Sequence, residues 1–144
     1  MYQHILYAAE LLEENRVVED KVMDMQSLTN AKLSVIHVIE PLPVAYMGGE
    51  LGAMLENVDT EESLTEHARE MLDPIAKRLN VDQDNVITRS GSVGSEILAY
   101  ADKKDVDLIV VGSHGRHGLE LILGSTANSV LHHANCDVLA VRIK

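Results

Sequence analysis

The sequence contains no phenylalanine and no tryptophan. Its core must therefore be built from Leu, Val, Ile, Ala and Met, and a bound base would lie against aliphatic side chains or backbone, because aromatic stacking has few candidates. Cysteine is nearly absent too: the single Cys136 excludes an intramolecular disulfide. Basic residues are few, 12 Lys and Arg against 23 Asp and Glu, for a net charge of −11. That balance argues against a nucleic-acid partner, which needs clustered cations to displace counterions from phosphate. A small anion remains compatible with it, since local N–H donors, Arg116 or a divalent cation act against the global field. The apolar runs are strand-sized, and nothing at the N-terminus resembles a signal peptide, so a cytoplasmic protein with no membrane partner is expected.

What is present is an ordinary globular composition, 46% hydrophobic and 24% charged, over 144 residues. A single domain spanning 1–144 is expected, because this length supports one substantial core and not two. The run from His4 to Ala9 is almost continuously apolar, which suits a strand buried on both faces. A helix follows, with Asn15 as its expected cap, Val18, Val22, Met25 and Leu28 as its apolar stripe, and Asn30 ending it in the left-handed conformation. A second strand is expected over Leu33 to Ile39. Proline and glycine then crowd the stretch from Glu40 to Asn57, which reads as a long loop with a turn of helix at Leu51 to Leu55.

Asp59 and Glu62 resemble a capping box ahead of a helix whose stripe is Leu64, Ala68, Met71, Leu72, Ile75 and Leu79. Pro74 either kinks this helix or, with Asp73, starts a second one. Asn85 to Ser90 is a weaker strand, and Ile97, Leu98 and Ala101 mark the next helix. Leu108 to Val111 is the clearest buried strand, Ser125 to Ala134 a helix, and Val138 to Val141 a last strand. Alternation of this kind predicts a parallel sheet covered by helices on both faces. Ligands of such sheets sit beyond the carboxyl ends of the strands, where the strand order reverses. Glu10, His37 to Glu40 and Gly112 are the candidates at those ends.

Around Gly112 the chain reads Val110-Val111-Gly112-Ser113-His114-Gly115-Arg116-His117-Gly118, with Gly124-Ser125-Thr126 further on. Glycines let backbone N–H groups approach a ligand, and a helix start adds unsatisfied donors and a positive dipole end, so this is an anion-binding arrangement. It lacks the Gly-Lys-Ser/Thr ending of a Walker loop and the Gly-x-Gly-x-x-Gly dinucleotide pattern. The plainer reading is three turn glycines and a helix cap.

These residues, with His4-Ile5-Leu6, Leu33 to Ile39, Asp107 to Gly115, Gly124-Ser125-Thr126-Ala127 and Cys136 to Val141, make the chain closely similar to the universal stress protein family, in its single-domain bacterial form. The resemblance covers nearly the whole chain. It implies a Rossmann-like three-layer α/β/α sandwich whose five-stranded parallel sheet has the order 3-2-1-4-5. Members with Gly-x-x-Gly, a spacer and Gly-Ser/Thr bind ATP or AMP, and this chain carries those elements. By that resemblance Gly112 and Gly115 lie against the ribose and α-phosphate. Gly124, Ser125 and Thr126 donate to the phosphates, the Ser125 hydroxyl also lying near any Mg²⁺. Ala8, Ala9 and Val38 border the adenine and Val111 packs beside it. Apart from the resemblance, His114 reads as a residue that shapes the loop and Arg116 as a charge-assisted donor to a phosphate, the plainer reading being a surface arginine. Glu10 stands where binders usually have the Asp that holds the ribose hydroxyls, and the spacer is one residue shorter than the family's usual form. Bacterial relatives with Gly-Arg-His-Gly after the histidine often share the shorter spacer, whereas the extra methylene of Glu10 implies a shifted ribose and weakened binding. Relatives pair the last strand across a twofold axis, so a homodimer through Val138 to Ile143 is expected.

Other chemistry finds less support. His132 and His133 are adjacent and point to different helix faces, and with His114 and His117 they lack a carboxylate or thiolate at ligand spacing. Cys136 reads as a packed, inert thiol. No catalytic set emerges, and at most a slow ATPase is expected, with His114 orienting water. A phosphoacceptor receiver domain would need clustered acids after the first strand and an acceptor Asp where Arg89-Ser90 stand. The function expected is a nucleotide-binding stress-response module. The alternative is a dimeric interaction or scaffold protein of the same fold that binds no nucleotide.

Overall fold

The computed structural model describes residues 1–40, 60–114 and 124–143. Within them the elements are β1 (His4–Ala8), α1 (Arg16–Thr29), β2 (Lys32–Ile39), α2 (Thr60–Leu79), β3 (Val86–Ser90), α3 (Val93–Lys103), β4 (Leu108–His114), α4 (Ser125–His133) and β5 (Asp137–Ile143). The five strands are all parallel and lie in the order β3-β2-β1-β4-β5, as expected. The order reverses between β1 and β4, and β5 is an edge strand.

Alternation along the strands sorts the core into two layers. Ile5, Tyr7, Leu33, Val35, Val110 and Val141 face α1 and α2, where they meet Val18, Val22, Leu72, Ile75 and Leu79. Leu6, Ala8, Ile36, Val38, Ile109 and Val111 face α3 and α4, meeting Ile97, Tyr100, Ala101, Ala127 and Val130. β1 is central, and all five of its residues are buried, so its apolar continuity reflects two covered faces. Each such Leu, Ile or Val contributes about 1.5–3 kcal/mol.

Several local expectations are corrected. Asn15 does not cap α1: it is in helical conformation, and its side chain bonds the Glu10 carbonyl instead. Asn30 does end α1 left-handed, at φ 55°, with its N–H on the Gln26 carbonyl. Leu28, Leu64 and Met71, assigned to apolar stripes, are exposed. Pro74 lies inside a continuous α2, so no second helix starts at Asp73. The preceding turn loses one backbone bond there, while Lys77 reaches Asp73 at 2.9 Å. Asp59 and the Leu51 to Leu55 turn lie outside the described residues. Gly112, Ser113 and His114 continue β4, paired with Val141, Arg142 and Ile143, where the sequence suggested that a turn had already begun.

Between the helices of the first layer, Glu19 of α1 is only 4% exposed and receives a forked contact from Arg78 of α2, with Nη2 at 2.8 and 3.0 Å and Nε at 3.2 Å. A buried carboxylate needs such a partner, because desolvation would otherwise outweigh its other contacts.

Candidate functional site

At the carboxyl ends of β1, β2 and β4 the sheet opens into a cleft of about 110 Å³. Its walls come from Ala8, Ala9 and Glu10 after β1, from Ile36, His37 and Val38 at the end of β2, from Val111 and Gly112 of β4, and from Val93, Ile97 and Thr126 near the starts of α3 and α4. The position follows from topology: β1 and β4 are neighbours whose connections leave toward opposite faces, which parts the layers at their ends.

The segment leaving β1 is tied down group by group. The Ala9 N–H donates to the Ile36 carbonyl at 2.8 Å. The His37 Nδ1–H donates to the Ala9 carbonyl at 2.8 Å, which fixes the proton on Nδ1, since a carbonyl only accepts. Asn15 Nδ2 donates to the Glu10 carbonyl at 2.7 Å. Across the cleft, Gly91 takes φ +143° and its N–H bonds the Ile39 carbonyl at 3.0 Å, which turns the chain from β3 into α3 and brings Val93 to the wall.

The two described motif glycines stand in different surroundings. A methyl on Gly112 would come within 2.8 Å of Ile143 Cδ1 and 3.3 Å of Val18 Cγ2. Its absent side chain therefore faces the α1 layer, and only its backbone borders the cleft. A methyl on Gly124 would meet nothing within 4 Å among the described residues. With φ −55° and ψ 157°, Gly124 also occupies backbone space open to any residue. Nothing described in the protein's own packing calls for glycine there.

Of the residues expected from sequence, Ala8, Ala9, Glu10, Val38, Val111, Gly112 and Thr126 thus line one cleft. Gly124 and Ser125 form the start of α4 beside it, with no side chain capping that helix. His114 ends β4, and Gly115 and Arg116 lie outside the described residues. Ile36, Val93 and Ile97 were not anticipated. Ile97 showed only as a helix-stripe residue, and nothing in the pattern separated it from ordinary core.

The volume, below the 300–1,000 Å³ of drug-sized ligand pockets, suits one part of a ligand. Its sheet-derived wall is mostly aliphatic, and Glu10 contributes to the lining. A larger cleft of about 320 Å³ opens between α1 and α2 beside the Arg78 and Glu19 pair, away from the strand ends. No group of three or more His, Cys, Asp and Glu among the described residues is arranged to hold a metal. Cys136 is half-buried, and burial followed by the charges of Asp102 and Asp137 pushes its thiol pKa up, as an inert thiol requires. No described helix is long and apolar enough to cross a membrane.

Comparison with known proteins adds four findings. A family model described as the universal stress protein family matches residues 1–142. Universal stress protein A homolog 1 of Coxiella burnetii is 43% identical over 143 residues, covering 99% of this chain and 98% of that protein. Among solved structures, the hypothetical protein MJ0577 aligns with a TM-score of 0.76 at 30% identity, covering 100% of this chain and 98% of that one. A universal stress protein in complex with cAMP aligns with a TM-score of 0.60 at 24% identity, covering 99% and 98%.

Proposed function

The chain belongs to the universal stress protein family, and we propose that within it this protein binds an adenine nucleotide, ATP or AMP, and acts as a stress-response signalling module. The observation that carries the reading is the single cleft that gathers 8–10, 36–38, 111–112 and Thr126 at the switch point of the sheet. In this reading the base lies against Ala8, Val38 and Val111, and the Glu10 carboxylate accepts from the ribose hydroxyls. The phosphates extend over Gly124, Ser125 and Thr126 at the start of α4, where free N–H groups and the helix dipole favour an anion. The unfilled space at Gly124 supports that direction among the described residues, and one fold neighbour, a universal stress protein, is in complex with cAMP. The Ser125 hydroxyl is the group in reach of a Mg²⁺ carried by ATP, and Gly115, His114 and Arg116 complete the phosphate end. Calorimetry with MgATP and with AMP tests this. Heat of binding at micromolar to millimolar ligand is expected, and no heat at millimolar ligand removes the reading.

One observation favours a second reading, a scaffold or interaction protein without nucleotide: Gly112 is accounted for by contact with Ile143 and Val18 alone. Adenine nucleotide released from freshly purified, untreated protein decides against it. In either reading the exposed edge of β5 makes a homodimer through Val138 to Ile143 the expected assembly. Light scattering that shows a monomer at high micromolar concentration contradicts that assembly.

A further inference from the structure

Strand exits usually surrender their carbonyls to water. After β1, two successive carbonyls are instead taken by side chains from two different elements, Ala9 by His37 of β2 and Glu10 by Asn15 ahead of α1. Asn15 is 3% exposed, and its Oδ1 is buried with no hydrogen-bond partner among the described residues. A buried unpaired carbonyl oxygen costs about 1–3 kcal/mol, which offsets much of what the Nδ2 bond to the Glu10 carbonyl contributes. The same oxygen lies 3.5 Å from where a Cβ on Gly112 would stand, which puts the clamp directly behind the β4 backbone that borders the cleft.

We propose that Asn15 and His37 are positioning residues that fix the backbone carrying Glu10, and that through Glu10 they set a preference for ribonucleotides over nucleotides lacking the ribose hydroxyls. The inference rests on the adenine-nucleotide reading above and deepens it. A carboxylate accepts from two vicinal hydroxyls only within a narrow geometry, and supporting residues must hold a reading group to about 0.5 Å. Glutamate carries one more rotatable bond than aspartate, so its aim depends more heavily on a backbone that does not move. Both clamps act on the main chain at positions 9 and 10. Asn15 does so from outside the cleft lining and His37 from its wall.

The test compares AMP with 2′,3′-dideoxy-AMP by calorimetry on the full chain and on Asn15→Ala, His37→Ala and Glu10→Ala. The unsubstituted protein prefers AMP by about tenfold, the scale of hydrogen bonds to a charged group. Asn15→Ala reduces that preference to about threefold or less, almost entirely by weakening AMP, with dideoxy-AMP affinity held within about twofold; His37→Ala, whose residue also lines the cleft, is read by the preference alone, which falls to about threefold or less. In a Glu10→Ala background, adding Asn15→Ala changes the preference no further. A merely structural role would lower both affinities in proportion, and a preference unchanged in both clamp variants overturns the inference while leaving the nucleotide reading intact. Equal binding of the two ligands by the unsubstituted protein also overturns it. No binding of either ligand at millimolar concentration removes the nucleotide reading and this inference with it. If Asn15→Ala does not fold, His37→Ala, at a half-buried position, carries the test through the adjacent carbonyl.

Discussion

The two ends of the sheet are built on different terms. At the end where the strands begin, polar groups are paired. His4 is buried, its Nδ1–H donating to the Lys104 carbonyl at 3.1 Å and its Nε2 accepting from Ser34 Oγ at 2.8 Å. The Asp107 carboxylate accepts the N–H groups of Gln3 at 2.8 Å and His4 at 2.9 Å, and the Tyr2 hydroxyl donates to Asp137 at 2.8 Å. At the end where the strands finish there is a cleft, a buried amide oxygen without a described partner, and a glycine with no described neighbour for its missing side chain. Local consistency is what stabilises a fold, and departures from it collect where a protein meets something else. With the function proposed above, the contrast sets stability at one end against recognition at the other, and it can be broken from either side.

The largest expected effect is at the open end. Gly124→Val fills the space above the start of α4 and should reduce nucleotide affinity by at least about a hundredfold, or about 2.7 kcal/mol. Stability in urea should fall by no more than about 1 kcal/mol, because valine tolerates this backbone conformation but is a poorer helix cap than glycine. Calorimetry and urea unfolding on the same sample check both halves. Undiminished affinity would show that the ligand does not use this helix start.

Asp107→Ala makes the reciprocal test. It removes a charged acceptor from two backbone N–H groups, and hydrogen bonds to charged groups contribute about 1.5–3 kcal/mol each when shielded. Since one of the two is exposed, a loss near 2 kcal/mol in urea unfolding is expected, discounted from those values. Nucleotide affinity should stay unchanged. A parallel fall in affinity would mean that the two ends are coupled.

A smaller effect separates the ends by pH. Burial disfavours the charged imidazole of His4 and holds its pKa below the ordinary 6.5; the Lys104 carbonyl bond and the Asp107 charge oppose this, while the charges of Lys32 and Lys104 reinforce it. The unfolded chain therefore takes up a proton before the folded chain does. Stability from this group is complete above 6.5 and declines as pH falls below it, until the folded imidazole itself titrates. His4→Gln keeps a donor and an acceptor but no titration, so its stability deficit relative to the native chain should narrow on acidification. A constant deficit from neutral pH to about pH 5.5 would sink the assignment.

Much of the fold was legible because β1, β2 and β4 are buried on both faces, which leaves unbroken apolar runs such as Leu108 to Val111. Strand order came from the family resemblance and not from any pattern in the residues. The misread places share a cause, which is tertiary contact overriding a local signal. Gly112 looks like turn punctuation, yet pairing with β5 extends the strand through His114. Asn15 has the residue type of a cap, but the Glu10 carbonyl is the nearer need. Pro74 is a helix breaker held inside α2 while Leu72, Ile75 and Leu79 around it pack into the core. Within the candidate site, Glu10, His37, Val38 and Gly112 could be named in advance as strand ends, whereas Ala8, Ala9, Val111 and Thr126 came from the family resemblance. Val93 and Ile97 could not, since only the packing of α3 against the sheet brings them to the wall.

Gly112 offers the smallest effect and the sharpest discrimination, because of the two described motif glycines it is the one whose reason is visible in the packing. In Gly112→Ala the new methyl points at Ile143 Cδ1, 2.8 Å away, and at Val18 Cγ2, 3.3 Å away. The first is the end of a flexible side chain and can give way, so the cost should fall near the low end of overpacking, about 1 kcal/mol. Nucleotide affinity should hardly change, since the methyl enters the α1 layer and not the cleft. Ile143→Val removes the clashing carbon itself and alone costs about 0.5–1.5 kcal/mol through the space it leaves. Combined, each substitution relieves the other: the methyl fills part of that space and the clash disappears. The double variant should therefore be more stable in urea than the sum of the two single losses predicts, by more than the roughly 0.5 kcal/mol error of additivity. Strict additivity, or a collapse of nucleotide affinity in Gly112→Ala, would place this glycine with Gly124 on the side of recognition.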